Sequence, residues 1–210
     1  MPVDQSIPEM ELDTKYSEKK PGIPENPTKI QKEMEGTKKE LEKLKSIIVK
    51  KFPYTKVLSI LPPQAINFFV EEEEIPKESE KFIQLYMVVP EEKLKEIPKI
   101  KHEIVQKLEA IKQKVWLQIK TPVDVWEACM DSKFEIVNAI GMSFPLHDDG
   151  FLQALRVAEI HKSLVLQKFE KYVVSYVIAG SLVRGDTKKT SDVDVFVVIN
   201  DTDVKRMPRL

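Results

Sequence analysis

The stretch VVSYVIAGSLVRGDTKKTSDVDVFVVI, Val173 to Ile199, decides the reading of this chain. Val173 to Ile178 is apolar and rich in β-branched residues, and reads as a strand. A turn follows at Ala179-Gly180-Ser181, then a short polar segment with Arg184, Gly185 and Asp186. A second apolar run, Val193 to Ile199, is entered through Asp192 and Asp194. Residues two apart on a strand share a face, so the two carboxylates are expected to project together from the strand's tip. Such a pair repels itself unless a cation or a proton relieves it. Hard oxygen donors favour Mg²⁺, which is commonly shared with substrate phosphates. Gly180-Ser181, at a strand-to-helix turn, offers backbone N–H groups to phosphate.

This arrangement resembles the signature of the DNA polymerase β-type nucleotidyltransferase superfamily: strand, Gly-Ser, spacer, then Asp-x-Asp on the next strand. The tighter pattern, Gly180-Ser181 with Arg184-Gly185 and then Ser191-Asp192-x-Asp194, looks like the minimal nucleotidyltransferases and, more distantly, the archaeal CCA-adding enzymes. The likeness covers Tyr172 to Asp203. It implies an α+β fold with a mixed sheet packed by helices. It also implies Asp192 and Asp194 as ligands of Mg²⁺ (or Mn²⁺), with Gly180 and Ser181 gripping an NTP, ATP first among them. Arg184 would neutralise phosphate, although a plain surface arginine is an equal reading of it. Gly185 serves a turn, and Lys188 and Lys189 read as a solvated loop.

Composition bounds the rest. The 210 residues suffice for one large or two small domains, and 42% hydrophobic content suffices for a core. A charged fraction of 32%, rich in Lys and Glu, resembles that of thermophile proteins. A net charge of −1 gives no global basic field for nucleic acid. One cysteine, Cys129, excludes an internal disulfide and fits a reducing cytoplasm. No apolar run approaches the roughly 20 residues of a membrane helix. His102, His147 and His161 lack metal-ligand spacing. Cys129, Trp116 and Trp126 read as packing residues.

Along the chain, residues 1–35 are proline-rich and charged, and read as a disordered or docking tail. Order is expected to begin at the capping box Thr37-x-x-Glu40, with Leu41, Leu44, Ile48 and Phe52 forming one helix face. Strands are expected at Lys56–Leu61 and Phe82–Val89, an extended stretch at Ala65–Val70, and a solvated loop at Glu71–Glu74. A helix through Ile97–Ile111, a strand at Val115–Ile119, two short helices and a loop at Ser143–Gly150 follow. A long helix from Phe151 to Lys171, capped by Asp148 or Asp149, feeds the opening stretch.

The first half reads as a copy of the second with its acids erased. IQLYMVVPEEKLKEIP, from Ile83, aligns without a gap on VDVFVVINDTDVKRMP, from Val193. Phe82 then lies opposite Asp192, Gln84 opposite Asp194, and Pro63-Gln64 opposite Gly180-Ser181. The expectation is an internal duplication: a tail over 1–35, a degenerate nucleotidyltransferase-like domain over 36–150, and the N-terminal half of an intact one over 151–210. The family resemblance also implies a third carboxylate on a later strand. The second copy reaches Leu210 without it, so a longer polypeptide, or a partner or second copy completing the sheet, is expected to supply it. Three functions stay open: a Mg²⁺-dependent enzyme acting on a protein, RNA or small-molecule hydroxyl; a non-catalytic NTP-binding or scaffold module; and an antitoxin-like regulator of a partner.

Overall fold

The structure is a computed structural model, and it describes residues 27–70, 78–108 and 114–200. The expected tail up to residue 26, the Glu71–Glu74 loop and the end of the second aligned stretch lie outside the described residues. The first helix, α1, spans Pro27–Lys51. It begins ten residues before the Thr37 capping box: proline is well suited to a first helical turn, and Thr-x-x-Glu is equally compatible with a helix interior.

β1 (Val57–Ile60) follows, then a 3-10 turn at Pro63–Ala65 and the short helix α2 (Ile66–Phe69). The extended stretch expected at Ala65–Val70 is therefore helical. Its side chains supply the reason, because Ala65 and Ile66 are buried while Phe68 is exposed, a helical rather than alternating pattern. β2 (Ile83–Val88), α3 (Ile97–Leu108), β3 (Val115–Lys120), α4 (Pro122–Met130) and α5 (Phe134–Gly141) come next, close to expectation. Thr121 caps α4, with Asp124 reciprocating. Phe144–Asp148, expected as loop, is strand β4, paired antiparallel to β1. Pro145 sits in it without harm because this is a sheet edge.

The sheet order is β3-β2-β1-β4. β1 runs antiparallel to β2, and β2 runs parallel to β3. The mixed sheet packed by helices is the expected α+β class. Strand alternation sends Leu58, Leu85, Met87, Leu117 and Ile119 to one face, where Leu44 and Ile48 of α1, Phe52 just after it, and Ile100 and Ile104 of α3 cover them. Val57, Tyr86 and Val88 go to the other face, under α4, α5 and α6.

Helix α6 (Phe151–Phe169) starts where Asp148 accepts backbone hydrogen bonds from Gly150, Leu152 and Gln153 at 2.9–3.0 Å. Phe151, Leu152, Leu155 and Ala158 of this helix enter the same core as Val57 and Tyr86, and so does Leu182 further on. The described residues from 38 to 200 cluster together, and one core draws on residues from both sides of position 150.

β5 (Val173–Ala179), helix α7 (Gly180–Arg184) and β6 (Asp194–Ile199) complete the described chain, with β5 antiparallel to β6 in a sheet of two. Tyr176 ties this sheet to α6 by donating to the Ala158 carbonyl at 3.2 Å, with His161 Nδ1 2.9 Å from its hydroxyl. Among the described residues no helix is long and apolar enough to cross a membrane.

Truncating Phe151 tests the shared core. Phe151→Ala is expected to cost about 3–5 kcal/mol. Urea unfolding followed by Trp126 fluorescence, whose ring lies 6.3 Å from Phe151, and by far-UV circular dichroism should still give one coincident transition. Two separated transitions would show that 38–150 and 151–200 fold independently.

Candidate functional site

Gly180 is the pivot of the second sheet. It opens α7 directly from the end of β5 with φ of +74°, a conformation that side chains rarely adopt. A Cβ built there would overlap the Asp194 carboxylate, with the Cγ of Asp194 only 3.0 Å away. The register explains the approach: Ala179 pairs with Asp194, so the turn leaving β5 passes over the first residue of β6. The glycine bend and the second acid of the Asp-x-Asp pair are thus in direct contact.

Asp192 is placed differently. β6 begins at Asp194, so Asp192 lies in the segment before it rather than on the strand. The pleat argument, which put both acids on one face, therefore holds for Asp194 alone. Both side chains are exposed, and among the described residues neither forms an ion pair. Ser181 is the second residue of α7 and partly buried. Arg184 closes that helix and turns toward Asp186, its Nε 3.6 Å from Oδ2, both side chains well exposed. This is the surface-arginine geometry. The structure brings Gly180 and Asp194 into contact with Ser181 next in the chain, keeps Asp192 two residues before the strand's first residue, and points Arg184 at Asp186.

The same relation recurs in the first half. There the Gln84 amide donates to the Pro63 carbonyl, and Gln84 is buried. Gln84 is the residue aligned with Asp194, and Pro63 the one aligned with Gly180. In each half a short helical segment between antiparallel strands touches the start of the following strand, at Gln84 in β2 and at Asp194 in β6. In the first half Phe69 packs on Tyr86 and Trp116 and Gln84 is buried, while in the second half Asp194 is exposed.

Two further glycines fix the loop between α7 and β6, and spacing alone did not single out either contact. Gly185, at φ of +73°, lies against the Pro122 ring at the start of α4. Gly150 lies against the backbone of Lys188 and Lys189, whose carbonyl and amide would collide with any Cβ. Ser191 holds the same loop, its Oγ accepting from the Lys188 N–H at 2.9 Å. The loop that delivers Asp192 is therefore clamped to the turn that starts α6. Next to that clamp, burial raises the Asp149 carboxyl above its ordinary range, with Lys56 at 3.9 Å opposing the shift.

Residues 158–207 match the family model described as Nucleotidyltransferase domain. The match covers the latter part of α6 and all of β5, α7 and β6, and bears out the resemblance read from Gly-Ser and Asp-x-Asp. It supports nucleotidyl transfer as the general chemistry of that segment, with an NTP as the substrate class. No curated protein and no solved structure is similar enough to count as a match.

Two substitutions probe this geometry. Gly180→Ala is expected to lower stability by about 1–2 kcal/mol from its positive φ alone, and by more because Asp194 must move; a thermal melt within a degree of wild type would refute the contact. For Asp149 the sign follows from its raised value. The native state keeps the proton longer than the unfolded chain does, so the associated stability is present at low pH and lost as pH rises from the unfolded value through the folded one. Asp149→Asn should therefore gain on wild type between pH 3 and pH 7 in paired urea titrations.

Proposed function

We propose that this chain is a divalent-cation-dependent nucleotidyltransferase, moving a nucleotidyl group from an NTP to a hydroxyl acceptor. The observation that carries the reading is the contact of the Asp194 carboxylate with the side-chain-free Gly180 bend. It sets an anionic oxygen donor directly against backbone that carries no side chain. Gly180 and Ser181 bind the phosphates through backbone N–H groups left free at the first turn of α7. Asp192 and Asp194 supply carboxylate oxygens, donors of the kind that Mg²⁺ or Mn²⁺ takes, and their exposure without an ion pair leaves them available. When bound, the cation offsets charge on the phosphates and on the reacting oxygens. The acceptor oxygen forms a bond to the α-phosphorus, the bond from that phosphorus to the bridging oxygen breaks, pyrophosphate leaves, and the acceptor proton passes to solvent. Arg184, turned toward Asp186, would have to leave it to reach a phosphate.

A second reading is a non-catalytic NTP-binding or scaffold module, and one observation favours it. Among the described residues no cluster of three or more His, Cys, Asp or Glu side chains could hold a metal. On this reading the first half, with Gln84 and Pro63 at the matching places, is a copy that lost its acids and kept its packing.

Titration calorimetry with Mg²⁺ and ATP, followed by release of pyrophosphate in the presence of cell extract, separates the two readings. The enzyme reading expects nucleotide binding that weakens about tenfold or more in Asp194→Asn, with pyrophosphate release falling to background. It expects Arg184→Ala to change either far less. Nucleotide binding with no release in wild type favours the module. Binding indifferent to Asp192→Asn and Asp194→Asn removes the site altogether.

A further inference from the structure

The outward side of α6 carries an apolar stripe that no described residue covers. Gln153, Val157, Ile160, Leu164 and Gln167 recur at steps of four and three, the spacing of a two-helix seam. Val157, Ile160 and Leu164 are 50%, 62% and 53% exposed. Beside the stripe a groove of about 500 Å³ runs between α6 and the end of α5, with Met142, itself largely exposed, on its far wall. Isolated apolar side chains on a surface need no explanation, but a contiguous patch does.

The charges around the stripe indicate its occupant. One residue in three of this chain is charged, yet these five positions carry no charge. Arg156, at the margin, is turned back to donate to the carbonyls of Gly141 (2.7 Å) and Ser143. Glu159 and Lys162 neutralise each other at 2.6 Å within the helix. A partner selected by charge finds nothing here to pair with. A second copy of the same stripe does fit. Reversed about Ile160, it sets Val157 against Leu164 of the partner subunit and Gln153 against Gln167 of the partner subunit, so apolar meets apolar and amide meets amide. A two-fold interface requires this self-complementarity.

We propose that two copies of this chain pair antiparallel through α6, with Ile160 on the two-fold axis. The competing patch, on β6, suits a second copy less well. Phe196 and Val198 are 63% and 48% exposed there, but they continue the strand that begins at Asp194, with Asp192 just before it. Two copies stacked on that face would bring like charges together. The α6 seam leaves both acids and the Gly180 bend open, and the proposal stands whether or not the chain is an enzyme.

Sedimentation velocity on the full chain over a concentration series tests it. Wild type is expected at twice the chain mass, and Ile160→Asp and Leu164→Asp at the single-chain mass with unchanged far-UV circular dichroism. Should either aspartate variant misfold, crosslinking decides: in a Cys129→Ser background, Ile160→Cys should form a disulfide-linked dimer under mild oxidation, and Phe196→Cys should not. A wild type that stays monomeric throughout the series overturns the seam. So does a dimer that survives Ile160→Asp, or one that yields only to Phe196→Asp.

Discussion

The β3-β2-β1-β4 sheet is apolar on both faces, and everything else is arranged to cover it. Leu58, Leu85 and Met87 need α1 and α3; Val57, Tyr86 and Val88 need α4, α5 and α6. Burying a side chain of this size is worth about 1.5–3 kcal/mol, so losing a covering helix would outweigh any local preference. This explains why α6 belongs to the first sheet's core although it is continuous in sequence with the second. Phe151, Leu152 and Leu155 fill one core while Tyr176 hangs β5 on the same helix through Ala158.

The second sheet inherits its position from that helix and from two close approaches. Gly185 on Pro122 and Gly150 on Lys188-Lys189 are contacts between backbones and a ring that leave no space for a side chain. They hold the ends of the loop leading to Asp192 without occupying the ground in front of Gly180. Both acids are exposed. In the first half Phe69 packs on Tyr86 and Trp116, and Gln84 is buried. An unpaired carboxylate at that buried place would carry a heavy desolvation cost. Read as two related copies, the halves differ as burial demands: a neutral amide where the face is covered, a carboxylate where it is wet.

Much of this was legible in the residues. The helical spacing of Leu44 and Ile48 and the apolar run of β2 each carry a local physical signal, and helix α1 and strand β2 lie over those residues. Phe144–Asp148 and Ala65–Val70 were misread for a common reason. Both are short and mixed in composition, and their state was set by a neighbour: β1 offered Phe144–Asp148 a strand edge, and the core took Ala65 and Ile66 from one side.

For the site, the sequence by itself determined the chemistry: a glycine free to take positive φ, a neighbouring serine, and two acids at the mouth of an apolar strand. Residue type and spacing fix which donors exist and which backbone conformations are permitted. Only the tertiary structure decided that Asp194 lies against Gly180, that Asp192 leaves the strand, and that Arg184 turns to Asp186. Those outcomes depend on strand register and on where the loop is clamped, and both arise from packing between residues far apart in the chain.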